Sequence, residues 1–328
     1  MRVLAAPDKF KGTATAAAVA EAIGRAIAAV GGDALLMPLA DGGEGTLDAL
    51  GGPNRETVVT GPLGDPVSAP WRLDRGTAVV EMASASGLAL VGGPAANDPV
   101  SASSAGTGEL IASAVEAGAT RVIVGVGGSA TTDGGFGALR ALYPLPRLRG
   151  VELIVACDVR TRFLDAAAVF GPQKGATAAQ VELLRRRLER LAQMYAEEYG
   201  VDVVSLDRSG AAGGLAGGLV AAGATLVDGF DLVAEHLDLY EAIEGVDLVV
   251  TGEGFLDEES FHGKVVGGVQ SYAEAAGVPA VAVVGQAFDE ANERIPTVVL
   301  AERFGLEQAQ AQPEACIEQA VREYLEAL

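Results

Sequence analysis

The sequence predicts an α/β fold in which a parallel-sheet domain is interrupted by a second, mixed α/β domain. Three observations carry that reading. Short aliphatic runs end abruptly in glycine or an acid, helical stretches alternate with them, and the segment 57–90 changes texture toward antiparallel strands. A chain of 328 residues, 49% of them hydrophobic, exceeds the usual size of one domain and can bury two cores. The first domain is expected to be Rossmann- or flavodoxin-like and discontinuous, 1–58 plus 245–328, with 59–244 inserted.

In chain order, the apolar runs are RVLAAPD (2–8), ALLMPLADGGEG (34–45), RVIVGVGG (121–128), VELIVACD (151–158), DLVVTGEG (247–254) and AVAVVG (280–285). Near-continuous apolar runs suit strands buried on both faces of a parallel sheet. Helical patterns lie between them at 15–30, 108–117 and 264–276. The runs TVVTGPLGDPVSAPWRL (57–73) and GTAVVEMA (76–83) carry Pro and Gly turns and read as antiparallel strands. Segment 178–199 has the clearest start, because Thr177 and Gln180 fit a capping box and Gly200 supplies the stop. Its RRRLER run is interspersed with Glu at helical spacing and reads as a solvated face. A last helix begins near Pro313.

A formal net charge of -21 argues against a nucleic-acid partner, which needs a basic patch. No apolar stretch is long enough to span a bilayer, and Pro7 and Asp8 break the N-terminal run too early for a signal-peptide core. A cytoplasmic address is therefore expected. Cys157 and Cys316 fit no metal-ligand spacing and read as small buried hydrophobes.

In open α/β sheets ligands bind beyond the carboxyl ends of the strands, and here acids gather at those ends: Asp8, Asp41, Asp133, Asp158 and Glu253. Any one of them could simply cap a helix, but a cap needs no glycine cluster, and glycines accompany most of them. Four stretches would let backbone N–H groups approach a phosphate: DGGEG (41–45), GVGGSATTDGG (125–135), GPQKG (171–175) and SGAAGG (209–214). The candidate anion-binding positions among them are Gly127, Gly128, Ser129, Gly213 and Gly214. None of the stretches is a Walker A loop, since Gly263-Lys264 is followed by Val265 where a hydroxyl should hold the metal. Lysines in such loops are few, namely Lys9, Lys11, Lys174 and Lys264. Acids for Mg²⁺, cations for a polyphosphate and one base for an acceptor hydroxyl are the parts of an ATP-dependent phosphotransferase.

Together these stretches make the chain resemble the bacterial glycerate kinases of the enterobacterial type. The matching words are APDKFKG (6–12), PLADGGEGT (38–46), EMASASGL (81–88), TGEL (107–110), GVGGSATTDGG (125–135), ACDV (156–159), AVFGPQKGAT (168–177), GAAGGLAGGL (210–219) and DLVVTGEGFLD (247–257), followed by Gly263-Lys264. They stand in the family's order over most of the chain. The resemblance implies a two-domain α/β kinase that phosphorylates D-glycerate with ATP, generally to 2-phosphoglycerate, in an interdomain cleft. Three departures stand out: RTRFLDAA (160–167) replaces an Asn-Pro-Leu element and a longer loop, LRALYPLPRLRG (139–150) is shortened, and Glu259-Ser260 replaces a Gln-Thr pair.

The expected roles follow from phosphoryl-transfer chemistry, in which positioning and charge compensation dominate. Asp133 is expected to be the base, with Asp8 the next candidate. Lys11 and Lys174 are assigned to phosphate and the glycerate carboxylate, with Lys264 and Asp158 beside them. Asp41, Glu44, Glu253 and Asp257 are assigned to Mg²⁺. The rivals are an NAD(P)-dependent oxidoreductase, because Gly125, Gly127 and Ala130 fit G-x-G-x-x-A, and a non-catalytic ligand-binding module. A serine hydrolase on Ser129 is set aside, because GGSAT is not G-x-S-x-G. A small-molecule acceptor and ATP are the expected partners, and a homo-oligomer is compatible with the sequence.

Overall fold

The structure is a computed structural model and describes residues 1–288 and 291–328. The chain forms two compact units, Met1–Asp41 with Phe230–Leu328, and Gly42–Gly229. Its strands are β1 (Arg2–Ala5), β2 (Asp33–Leu36), β3 (Arg55–Thr60), β4 (Pro66–Asp74), β5 (Thr77–Glu81), β6 (Arg121–Gly125), β7 (Glu152–Cys157), β8 (Thr225–Asp228), β9 (Leu248–Leu256), β10 (Ala280–Ala287) and β11 (Thr297–Val299).

The first unit holds a wholly parallel sheet in the order β11-β10-β9-β1-β2. Counting only the strands of this unit, the order is 2-1-3-4-5, the flavodoxin-like arrangement, whose ligand site lies where the winding reverses, at the carboxyl ends of β1 and β9. One face is covered by the helices Ala16–Ala29 and Pro313–Glu326, which bury Ile23, Ile27, Ile317 and Val321 against Val3, Val250 and Val283. The other face receives Val266 of the helix Val265–Ala276 together with Ile295. Each such fully buried aliphatic side chain contributes roughly 1.5–3 kcal/mol relative to exposure. The Thr251 hydroxyl donates to the Ala6 carbonyl at 2.8 Å, tying β9 to the segment leaving β1.

The second unit holds a six-stranded sheet in sequential order, β3 to β8. β3, β4 and β5 pair antiparallel, while β5 to β8 are parallel, so the unit is mixed as expected. The helix Ala178–Tyr199 starts at the Thr177–Gln180 capping box and stops at Gly200 in the left-handed conformation. Its arginines Arg185 and Arg186 pair with Glu182 on an exposed face.

The units divide after Asp41 and after Gly229, whereas the sequence pointed to 58 and 244. Strand pairing explains the first difference. β3 begins at Arg55 and pairs with β4, and Glu81 of β5 accepts from the Gly45 and Leu47 amides at 2.8 and 2.7 Å, drawing 42–58 into the second unit. Aromatic packing explains the second, because Phe230 and Tyr240 meet Tyr272 edge-on, drawing 230–244 into the first unit. Two short strands, β8 and β11, had no distinct apolar run to announce them, and the apolar run 34–45 is a strand only to Leu36. No helix among the described residues is long and apolar enough to cross a membrane.

Candidate functional site

The sequence-selected residues fall into two groups, one in each unit. Asp8, Lys11, Asp41, Glu253, Asp257 and Lys264 belong to the first; Glu44, Gly127, Gly128, Ser129, Asp133, Asp158, Lys174, Gly213 and Gly214 belong to the second.

In the first unit, acids converge at the reversal of winding. The Asp8 amide donates to the Gly252 carbonyl at 2.8 Å, which sets the end of the β1 segment beside Glu253. Asp8, Asp41 and Glu253 are all buried. Oδ1 of Asp8 accepts from the Lys9 amide at 2.7 Å and pairs with the Lys9 ammonium at 3.6 Å. Burial pushes the Asp8 carboxyl up to about 7, Asp41 adds to the rise, and Lys9 opposes it. Glu253 is also pushed up to about 7, first by burial and then by Asp8 and Asp257, against a hydrogen bond from Ser260 and the charge of Lys264. Oε1 of Glu253 is buried and has no hydrogen-bond partner. A buried acceptor left unpaired costs about 1–3 kcal/mol, and such a group calls for a ligand or an ion.

Asp257, an expected metal ligand, does other work. Its Oδ1 accepts from the Ser260 amide at 3.1 Å and its own amide donates to the Ser260 hydroxyl at 3.1 Å, a capping box for the short turn Glu258–Phe261. Glu44 is exposed. Among the described residues no group of three or more His, Cys, Asp or Glu side chains is placed to hold a metal ion. Among the described residues the expected four-carboxylate metal set is thus not assembled, and the Ser260 amide and hydroxyl hold Oδ1 of one member in a capped turn.

In the second unit, Asp133 is taken up by the backbone. Oδ2 accepts from the Ser104 amide at 2.8 Å, the Ser104 hydroxyl at 2.9 Å and the Gly137 amide at 3.2 Å, and Oδ1 accepts from the Gly135 amide at 3.1 Å. These bonds hold the starts of the helices Ala105–Glu116 and Phe136–Leu142. A carboxylate holding four donors is a fixed structural anion.

Lys174 is almost completely buried, and its ammonium donates to the Thr131 carbonyl at 2.5 Å. Burial lowers its pKa to about 7, with the charge of Asp133 opposing the fall. Asn97 donates from one amide nitrogen to the carbonyls of Ala130 and Lys174, at 3.1 and 2.9 Å. The hydroxyls of Thr131 and Thr132 and the Asn97 carbonyl oxygen are buried without partners. Lys174 therefore braces the loop 129–133 from within.

The glycine stretches mostly pack on backbone. A Cβ on Gly213, which has φ +68°, would lie 2.1 Å from the Thr131 carbonyl oxygen, and one on Gly127 would lie 2.7 Å from the Gly43 Cα. Gly214 abuts Gly134 in the same way, while Gly128 is exposed and Ser129 is bridged to Gly87. The dinucleotide reading of Gly125, Gly127 and Ala130 loses its basis here. The backbone of 43–44 fills the space where a pyrophosphate would approach, and the next helix starts only at Phe136. Arg208 escaped the sequence reading. It donates to Asp228 at 2.8 Å and to the Cys157 carbonyl at 3.5 Å, at the carboxyl ends of β7 and β8 beside Asp158. The one available signal was its place just before SGAAGG.

Comparison with known proteins gives consistent results. The glycerate kinase family model matches residues 3–143 and 144–328. The chain is 40% identical to the glycerate kinase of Bacillus subtilis (strain 168), covering 89% of this chain and 87% of the relative. It is 39% identical to the glycerate 2-kinase of Escherichia coli (strain K12), covering 88% and 86%. A crystal structure assigned to glycerate kinase 2 of Salmonella typhimurium LT2 matches with a TM-score of 0.81 at 36% identity, covering 100% of this chain and 98% of the other.

Proposed function

The chain belongs to the glycerate kinase family, and from that premise we propose that it transfers the γ-phosphoryl group of ATP to D-glycerate, forming 2-phosphoglycerate. The position is supported by the relative described as a glycerate 2-kinase. The observation that carries the mechanism is the buried pair Asp8 and Glu253 at the reversal of winding, with one Glu253 oxygen left unpartnered.

A substrate hydroxyl must give up its proton as the new P–O bond forms. Asp8 is the group for that task, because burial keeps its carboxyl close to neutral pH, where a base combines availability with strength. Lys9 beside Asp8 and Lys264 beside Glu253 supply positive charge to the same place. Lys11, exposed after the same strand, is the cation for the transferred phosphate. Lys174 and Asp133 shape the second unit's loop 129–137 and take no part in proton transfer.

Glu253 and Asp41 fit Mg²⁺, since the cation takes one or two carboxylates and fills its remaining positions with water and phosphate oxygens. The free oxygen of Glu253 is the donor such an ion needs. Held by Glu253 and Asp41, such an ion would supply positive charge against the phosphates. The proposal carries the cytoplasmic address expected of an enzyme that consumes ATP.

ADP release measured with ATP, Mg²⁺ and a panel of hydroxy acids tests this reading. Turnover with D-glycerate should exceed that with lactate or tartronate by at least tenfold in kcat/KM, about 1.4 kcal/mol of discrimination. Equal rates across the panel would remove glycerate as the substrate.

A further inference from the structure

The first unit carries a groove of which the roles above use only Lys11. Its floor and walls come from the carboxyl ends of three adjacent strands: Phe10 and Lys11 after β1, Gly254 and Phe255 on β9, and Gly285 and Gln286 on β10. The helix Leu306–Ala311 closes one side. We propose that this groove holds the adenosine part of ATP, its base lying on Phe255 and its phosphates running past Lys11 toward Glu253. The proposal rests on the kinase reading above and adds to it the unit and the surface that bind the nucleotide.

Four features support it. Phe255 is 46% exposed and Phe288 45%, and the two rings stack at 6.2 Å with 24° between their planes. Two aromatic rings left in water at the ligand-binding edge of a parallel sheet offer a π-face to a flat base. Gln286 is the register partner of Phe255 across β9 and β10, so an amide donor and acceptor stand beside the ring, where the polar edge of a base can be read. The floor is glycine for a steric reason: a Cβ on Gly285 would lie 2.5 Å from the Gly254 carbonyl oxygen, and one on Gly254 would meet the backbone of Phe10 and Lys11 at 3.3 Å. The two glycines thereby let the segment after β1 and the strand β10 close tightly on β9, which fixes the floor of the groove. Finally, the groove opens at the carboxyl end of β9, the strand that carries Glu253, and Lys11 lines it, so a cation for the phosphates stands at the groove itself.

The alternative occupant of an aromatic groove, an apolar peptide, would have no use for Lys11 or for the buried acids beside it.

The test is titration of the full chain, with Mg²⁺, against two probes: the non-hydrolysable analogue AMP-PNP and inorganic tripolyphosphate. Phe255→Ala removes the stacking surface at an exposed position where folding is not at stake, and Gln286→Leu removes the amide. Phe255→Ala should weaken AMP-PNP binding roughly fivefold to a hundredfold, the range of lost base stacking, while tripolyphosphate binds as before. Lys11→Met should weaken both probes. In turnover, Phe255→Ala should raise KM for ATP at least fivefold and change KM for glycerate less than twofold. Parental AMP-PNP affinity in both Phe255→Ala and Gln286→Leu, in a parent enzyme that phosphorylates glycerate, overturns the site and leaves the kinase reading intact. A parent that binds AMP-PNP with the expected dependence on Phe255 but does not phosphorylate glycerate overturns the substrate and leaves the site intact.

Discussion

Replacing Lys174 by Met should stabilise the protein at neutral pH and destabilise it at high pH, a reversal that a surface lysine cannot produce. The fall of the Lys174 pKa from 10.5 to about 7 sets roughly 5 kcal/mol against the charged amine in the folded state. The side chain is 2% exposed, so solvent screening removes little of this. Met keeps the length of the stem but loses the bond to the Thr131 carbonyl, leaving that acceptor bare at a cost of about 1–3 kcal/mol. Below pH 7 the variant should therefore be more stable by about 2–4 kcal/mol. Between pH 7 and 10.5 the unfolded chain holds a proton that the native lysine has released. Parental stability then rises with pH relative to the variant, by about 1.4 kcal/mol per pH unit. Near pH 10.5 only the lost hydrogen bond remains, and the variant should be the less stable by about 1–3 kcal/mol. Urea unfolding of both proteins at pH 6, 7.5, 9 and 10, followed by circular dichroism, reads the difference. A stability difference that stays constant across those values would refute the argument that Lys174 is desolvated and neutral above pH 7.

Asp8→Asn should lower kcat by roughly two to four orders of magnitude while the protein stays folded, the range for a lost proton acceptor; steady-state kinetics beside a melting curve check it. Asp133→Asn should act the other way round. An amide nitrogen facing the Gly135 amide sets donor against donor, so the melting temperature should fall, while kcat of the folded enzyme stays within tenfold of the parent. Glu253→Gln should respond to pH and to metal. Because the Glu253 pKa is raised from 4.5 to about 7, the parent free of metal loses stability as pH rises from 4.5 through 7, and the variant avoids up to roughly 3 kcal/mol of that loss. Added Mg²⁺ should raise the melting temperature of the parent and leave that of Glu253→Gln unmoved.

Much of the architecture was legible because apolar runs and caps are local signals. β6 and β7 follow their runs closely, and the helix Ala178–Tyr199 begins and ends where Thr177 and Gly200 said it would. Pairing between distant segments was not legible. Nothing local marks Gly45 and Leu47 as partners of Glu81, or Phe230 as a neighbour of Tyr272, and these contacts decide where the units divide. The site divides along the same line. An acid just past a strand end, such as Asp8, could be picked from position alone. Whether an acid is left open or consumed by backbone amides depends on loops folded from elsewhere. Asp133 and Asp257 resemble Glu253 in sequence, yet hydrogen bonds occupy the first two and leave one oxygen of the third bare. The glycines misled for a related reason, since tight packing of backbone on backbone asks for the same residue as an approach to phosphate.

The central claim is a phosphoryl transfer to glycerate, and following the label tests it most directly. The enzyme should be incubated with ATP carrying ³²P at the γ position, Mg²⁺ and D-glycerate, with the products separated by chromatography and identified by ³¹P NMR. The account predicts that the label leaves ATP for 2-phosphoglycerate, and that Asp8→Asn forms it at least a hundredfold more slowly. Label that stays in ATP, or appears only as inorganic phosphate, would contradict it.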